Sequence, residues 1–244
     1  MGVAIVTGGS RGIGAGIARL LAANGYRVAV NYTSDRTRAE EVVADIEDRG
    51  GRALAICADV RDAAAVARMF ATVDENLGPL SALVNNAAIH GPRGPIEELP
   101  FDVLQDVLAV NVLGLILCSQ HAIRRMSTRH GGAGGSIVNI SSGAAYMGVP
   151  GVGVHYAVSK GAVNSFTIGL SQEVAAEGIR VNSVSPGPTR AGMMDDDDLE
   201  SAAANIPIGR VGEPREIAEA VRWLLSDEAS YVAGANIRVA GGRP

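Results

Sequence analysis

The chain is predicted to fold as a doubly wound α/β structure, a parallel sheet with helices on both faces. Three observations predict it. Short runs rich in Val and Ile alternate with longer stretches of 3.6-residue periodicity along all 244 residues. The short runs show no polar alternation, as befits strands covered on both faces. A glycine-rich turn joins the first run directly to the first helical stretch. Alternating strands and helices imply right-handed crossovers and hence parallel strands.

The runs Val3–Val6, Arg27–Asn31, Arg52–Ile56, Ala82–Val84, Ser136–Ile140, Arg180–Val184 and Ile237–Val239 read as strands. In the first helical stretch Ile13, Ile17, Leu20 and Leu21 share one face, and Gly25 stands where a helix closes. No linker or repeat divides the chain, so residues 1–244 are expected to form a single domain. The irregular segment from Pro186 to Gly212 is the one long loop and is expected to act as a substrate lid.

Composition narrows the function classes. Apolar residues make up 47% and charged residues 19%, a core-forming balance. The net charge of −5 and the scattered basic residues argue against a nucleic-acid partner. Cys57 and Cys118 lie far apart without ligand spacing and are expected to be buried thiols in a reducing compartment. The chain enters its first apolar run without a basic leader, so no secretory signal is expected. The apolar stretch Val107–Cys118 is broken by Asn111 and is expected to be too short for a bilayer, which takes about 20 residues. A soluble, cytoplasmic protein without a membrane partner is expected. His90, His121, His130 and His155 show no metal-ligand spacing, so no metal is expected, and His90 and His155 are read as exposed or packed side chains.

The turn Thr7-Gly8-Gly9-Ser10-Arg11-Gly12-Ile13-Gly14 carries the strongest chemical signal. A tight strand-to-helix turn needs glycine, and a missing Cβ lets the backbone approach a pyrophosphate. The helix N-terminus then offers free N–H groups to that anion. Tyr156 and Lys160 stand four apart, on one face of a helix. An ammonium beside a phenol favours the phenolate and fits the phenol for proton transfer near neutral pH. Asn111, inside an apolar run, must find partners if buried.

These motifs, TGxxxGxG and YxxxK, occur in an order that resembles the short-chain dehydrogenase/reductase family over nearly the whole chain. The resemblance implies a Rossmann-like sheet of seven strands in the order 3-2-1-4-5-6-7. It implies that Gly8, Ser10, Gly12, Ile13 and Gly14 bind the cofactor's diphosphate, with Arg11 inside the same turn where NADP-preferring relatives carry a basic residue. The family's ribose-selecting position falls at Tyr32, between Asn31 and Thr33-Ser34. A carboxylate there would favour NAD, and none is present. Arg11, Thr33 and Ser34 therefore point to NADP(H) over NAD(H), with Asp35 the one nearby acid. The resemblance also puts Asp59 and the backbone of Val60 at the adenine, the competing reading of Asp59 being a helix cap.

The same resemblance makes Ser142 the residue that polarises the substrate oxygen. It lies 14 residues before Tyr156 where 13 is common, which leaves Ser141 and Gly143 as alternative registers. Asn111 completes a tetrad with Ser142, Tyr156 and Lys160. Asn85-Asn86-Ala87-Ala88 matches the family's NNAG motif with Ala88 in place of glycine. Pro186, Gly187 and Thr189 match the segment that holds the carboxamide, with Ala191 where a threonine is common.

The implied activity is transfer of a hydride between NADP(H) and a carbonyl or secondary alcohol carbon of a small molecule. The alternatives are an NAD-dependent alcohol or sugar dehydrogenase, and a non-catalytic NADP-binding redox sensor, which would have no need of the tetrad. Relatives form homotetramers or dimers, and Leu113–Leu117 with Val163, Phe166 and Leu170 fit such packing or ordinary core. The substrate pocket is expected from Ile89–Pro95, Gly143–His155 and Pro188–Ile206, with Tyr146, Met147, Met193 and Met194 giving it apolar character. The Asp195–Asp198 run reads as a solvated helix N-terminus.

Overall fold

The computed structural model describes residues 2–192 and 196–243. Seven parallel strands form one sheet in the order 3-2-1-4-5-6-7. They are β1 (Val3–Val6), β2 (Arg27–Tyr32), β3 (Arg52–Cys57), β4 (Ala82–Asn85), β5 (Gly135–Ile140), β6 (Ile179–Pro186) and β7 (Asn236–Val239). Each agrees with the sequence reading to within a residue or two. The larger extensions lie at C-terminal strand ends, where polar residues such as Asn85 and Ser185 continue the pairing.

The helices before β5 are α1 (Gly12–Ala23), α2 (Arg36–Asp48), α3 (Ala63–Asn76), α4 (Phe101–Leu108) and α5 (Leu115–Met126). After β5 come α6 (Ala144–Met147), α7 (Val154–Val174), α8 (Asp196–Ala203) and α9 (Pro214–Leu225). Period-two alternation along β1 divides the core. Ala4 and Val6 join the apolar layer under α1, α2 and α9, whereas Val3 and Ile5 join the layer under α3, α5 and α7. In both layers each fully buried aliphatic or aromatic side chain contributes about 1.5–3 kcal/mol. Gly25 follows α1 with φ +89°, the left-handed helix stop its position foretold.

Three expectations need correction. Cys57 is exposed, because it ends β3 at the open strand end, while Cys118 is buried in α5. Of the two readings for Val163 and Leu170 the structure shows ordinary core, and the exposed apolar side chains of α7 are Val158 and Ile168. The other two concern longer segments. The Val107–Cys118 stretch lies inside a continuous helical run, Phe101–Met126, whose 26 residues are long and apolar enough to cross a bilayer by length and composition alone. Here that run lies along the sheet, with Val107, Cys118, Ala122 and Met126 in the core. The Pro186–Gly212 segment is not structureless, since it contains α8. Met193, Met194 and Asp195 lie outside the described residues, and α8 begins at Asp196, within the acidic run.

A buried amide network crosses the sheet. Asn85 Nδ2 donates to Asn139 Oδ1 at 2.9 Å and to Ser119 Oγ at 3.0 Å, and Asn139 Nδ2 donates to Thr167 Oγ1 at 3.0 Å. This ties β4, β5, α5 and α7 together. Replacing Asn139 with Leu strands two buried partners, and urea denaturation is expected to show a loss of about 2–3 kcal/mol.

Candidate active site

The candidate tetrad gathers where β5 and β4 end against α7. Tyr156 and Lys160 lie one turn apart on α7, and the Lys160 ammonium stands 5.7 Å from the centre of the Tyr156 ring. Lys160 is buried and donates from Nζ to the Ile140 carbonyl at 2.8 Å. Burial pulls its pKa down to about 8. Burial pushes the Tyr156 phenol up, and a hydrogen bond with the Ser142 hydroxyl pulls the other way.

Ser142, not Ser141, faces the phenol. The Ser141 hydroxyl is buried and donates to the Lys160 carbonyl at 3.2 Å, which fixes the register. The Ala144 N–H donates to Ser142 Oγ at 3.1 Å and leaves the hydroxyl proton free to point at an acceptor. Between Ser142 and Tyr156 lie α6 and the turn after it. Gly148 and Gly151 there have positive φ, as does Val149 at +46°.

Asn111 sits at the centre of a wide π turn, Ala109–Gly114, between α4 and α5. Such turns insert one residue into a helix and often mark functional sites. Its amide is fully satisfied. Oδ1 accepts from the Ile89 N–H at 2.9 Å, while Nδ2 donates to the Ile89 carbonyl at 2.9 Å and to Ser159 Oγ at 3.0 Å. Gly114 closes the turn because a Cβ there would lie 2.7 Å from Val60 Cγ2.

At the C-terminal end of β1 lies the glycine turn. Gly8 and Gly12 have φ of +61° and +53°, and a Cβ on Gly14 would fall 2.3 Å from the Gly8 carbonyl oxygen. The Asn86 side chain donates to the carbonyls of Thr7 and Gly8, and Thr7 Oγ1 accepts from the N–H groups of Asn86 and Ala87. Ala88 is not strained by replacing glycine, since Val149 alone among described non-glycine residues has positive φ. Asn31 is structural, donating to the carbonyls of Ile56 and Ala58 and accepting from the Gly8 N–H. Tyr32 is buried, whereas Thr33 and Ser34 are exposed at the rim.

Beside this turn opens a cavity of about 420 Å³, lined by Ser10, Arg11, Gly12, Arg19, Arg38 and Arg190 among others. Four guanidinium groups fit a polyanion such as a dinucleotide phosphate. Asp35, the nearby acid, caps α2 through the Arg38 N–H and pairs with the Arg38 side chain at 3.3 Å. The cap of α3 falls on Asp62, not Asp59, which is instead held by Arg61 at 2.8 Å. Gly187 sits against Ala240 without room for a Cβ, and the Thr189 hydroxyl turns back to the Gly187 carbonyl at 2.9 Å.

A family profile described as Enoyl-(Acyl carrier protein) reductase matches residues 8–243. The chain belongs to the short-chain dehydrogenase/reductase family. It is an oxidoreductase acting between CH–OH and C=O with a nicotinamide cofactor. It is 47% identical, over the full length of both chains, to the uncharacterized oxidoreductase YgfF of Escherichia coli K12. A short-chain dehydrogenase from Burkholderia cenocepacia J2315, solved with NADP, superposes with a TM-score of 0.91 at 38% identity, covering 98% of this chain and 96% of that one. A blue fluorescent protein from a metagenomic library, solved with NADPH, gives 0.91 at 38%, covering 99% and 97%.

Within this short-chain dehydrogenase/reductase site some residues escaped the sequence reading. Ser159 is fully buried and relays Asn111 to the Tyr156 carbonyl, to which it donates at 2.7 Å. A serine inside an otherwise apolar helix turn, between Tyr156 and Lys160, was its signal. Arg38 and Arg190 reach the cavity from segments distant in sequence, and no motif announced them. His90 packs against the Tyr156 ring and His155 holds His90, beyond what isolated histidines could reveal.

The depressed Lys160 pKa has a measurable sign. Between pH 8 and about 10.5 the unfolded chain still holds a proton that folded Lys160 has released, so stability rises with pH across that window. Apo Lys160→Met lacks this climb. Urea denaturation at pH 7 and pH 10.5 is expected to show the wild type gaining about 3 kcal/mol relative to the variant.

Proposed function

We propose that this enzyme uses NADP(H) and transfers a hydride between the nicotinamide and a carbonyl or secondary alcohol carbon of a partly apolar small molecule. The observation that carries the cofactor choice is the rim of the second strand. No carboxylate stands at Tyr32, Asp35 is spent on capping α2, Arg11 and Arg38 line the cavity beside the glycine turn, and Thr33 and Ser34 are exposed at the end of β2, where a 2′-phosphate would lie. Gly8, Ser10, Gly12, Ile13 and Gly14 would receive the diphosphate, Asp59 and Val60 the adenine, and Asn86, Ala87, Ala88, Pro186, Gly187 and Thr189 the nicotinamide side. The related proteins solved with NADP and NADPH support this reading.

When bound, the cofactor supplies or accepts the hydride at its nicotinamide ring. Ser142 donates to the substrate oxygen and orients it. In reduction Tyr156 gives its proton to that oxygen as the carbon receives the hydride, and in oxidation it takes the proton back. Lys160 steadies the phenolate left behind and holds the nicotinamide ribose. The Asn111 side chain is consumed by Ile89 and Ser159, so its part in the proton relay is to hold the wide turn open.

The substrate enters between Ile89–Pro95, Gly143–His155 and Pro188–Ile206, with residues 186–212 as lid over one domain. Tyr146, exposed beside this opening and crossed by Arg238 at 5.7 Å, gives the entrance an amphipathic edge. We place the protein in the cytoplasm as a soluble homotetramer or dimer. The exposed apolar side chains Leu108, Leu113, Val158 and Ile168 support assembly through the α4–α5 run and α7.

Fluorescence titration with NADPH and NADH tests the cofactor choice. Arg11→Ala is expected to weaken NADPH binding about 10- to 100-fold and leave NADH binding unchanged. Equal loss for both cofactors, or none, would sink the 2′-phosphate assignment. A carbonyl panel of β-ketoesters, cyclic ketones and sugars then defines the substrate. Tyr156→Phe is expected to lower turnover by a factor on the order of 10²–10⁴.

A further inference from the structure

Two histidines converge on Tyr156 from different elements. His155 precedes it on α7, and His90 lies in the loop after β4. The His90 imidazole stacks on the phenol ring with centroids 4.6 Å apart and planes 27° from parallel. His155 is buried, and its Nε2 donates to the His90 carbonyl oxygen at 2.8 Å. The two imidazoles meet nearly edge to face at 6.1 Å. His90 Nδ1 lies 3.2 Å from the Gly91 carbonyl, which assigns the ring proton to Nδ1 and sets the ring's rotation.

The glycines around the pair are cut to fit it. A Cβ on Gly91 would lie 2.9 Å from His155 Nε2, and Gly91 has φ +74°. A Cβ on Gly153 would lie 3.0 Å from His90 Cε1. Gly153 is also the N-cap of α7, a position where Ser, Thr, Asp or Asn would ordinarily stabilise the helix by about 1 kcal/mol. Each histidine thus occupies room left by the glycine beside the other. The loop is held from its other side too, since Asn111 bonds both backbone groups of Ile89.

We infer that His90 and His155 form a bracket that sets the position and solvent shielding of the Tyr156 phenol, His155 pinning the loop and His90 covering the ring. This makes His90 a positioning residue for proton transfer, and it rests on the proposed role of Tyr156 as proton donor. Burial holds the His90 imidazole below its usual pKa, the Gly91 carbonyl opposes this, and His155 and Arg93 add to it. The ring is therefore neutral near pH 7 and acts as a cover, not as a charge. The other groups facing Tyr156 are Lys160 and Ser142.

The test needs no substrate. Tyrosinate absorbance is titrated in the NADP-bound protein, and the Tyr156 contribution is isolated by difference against Tyr156→Phe. Removing the cover with His90→Ala is expected to lower the Tyr156 pKa by about 0.5–1 unit, because water reaches the phenolate. His90→Phe keeps a stacked ring and is expected to restore the wild-type titration. An unmoved titration in His90→Ala, or an equal shift in His90→Phe, overturns the bracket while leaving Tyr156 as the donor. Undiminished turnover of a carbonyl probe by Tyr156→Phe overturns the donor role, and the positioning role with it, independently of the titration.

Discussion

A buried ammonium organises the site. Lys160 loses its hydration on entering the core, and the main compensation within the protein is its bond to the Ile140 carbonyl. That bond reaches from α7 to the last residue of β5. Ser141 returns a second bond from the strand to the Lys160 carbonyl, so helix and strand are locked at one level. Once this register is set, little freedom remains nearby. Tyr156 must stand one turn earlier on the same face, and Ser142 must follow the strand toward it. The cost of desolvation is what makes the arrangement chemically useful: it leaves a cation poised near neutrality beside a phenol that burial alone would keep too basic.

The remaining ties run along the C-terminal edge of the sheet, where the strand order reverses between β1 and β4. Asn86 and Thr7 bind the end of β4 to the glycine turn after β1. Asn111 binds the next residues of the same loop to the wide turn between α4 and α5. Ser159 carries that connection into α7. Thr7 and Asn111 satisfy backbone groups of a loop that would otherwise have no regular partner. Hydrogen bonds that are partly or fully buried, together with the loop backbone from Asn86 to Ile89, thus connect the glycine turn to the Tyr156 carbonyl. Asn139 and Thr167 brace the same elements from beneath.

Periodicity made the sheet legible because strands covered on both faces leave an unbroken Val and Ile signature, and the 3.6-residue pattern identified the helices between them. Composition is weaker where burial depends on what lies opposite. Val163 and Leu170 point inward and Val158 and Ile168 outward, yet all four are equally apolar. Cys57 is exposed because β3 ends at the open edge, a matter of strand length and not of residue type. The cap of α3 fell on Asp62, not Asp59, because the helix begins at Ala63 and only Asp62 stands directly before it. The tetrad itself was readable from spacing and family resemblance. Ser142 was also chosen from the resemblance, but the alternative registers could be closed only by the bond from the Ser141 hydroxyl to the Lys160 carbonyl. His90 and Arg38 were hidden for the same reason: their importance comes from contacts across loops.

The basic rim shows how charge selects a ligand without a dedicated cage. Arg19 pairs with Asp45, Arg38 with Asp35 and Arg190 with Glu213, all at least partly exposed. Exposed pairs of this kind are worth only about 0–1 kcal/mol each, so exchanging one carboxylate for another anion costs little. Arg11 makes no ion pair among the described residues. A phosphate dianion placed among these groups gains from charge-assisted bonds while the displaced carboxylates return to water. A bare 2′-hydroxyl gains none of this, and Asp35 is turned into the helix that follows, which leaves Glu41 as the acid lining the cavity beside the arginines. The selectivity proposed for this enzyme therefore arises as much from where its acids have been spent as from where its arginines stand.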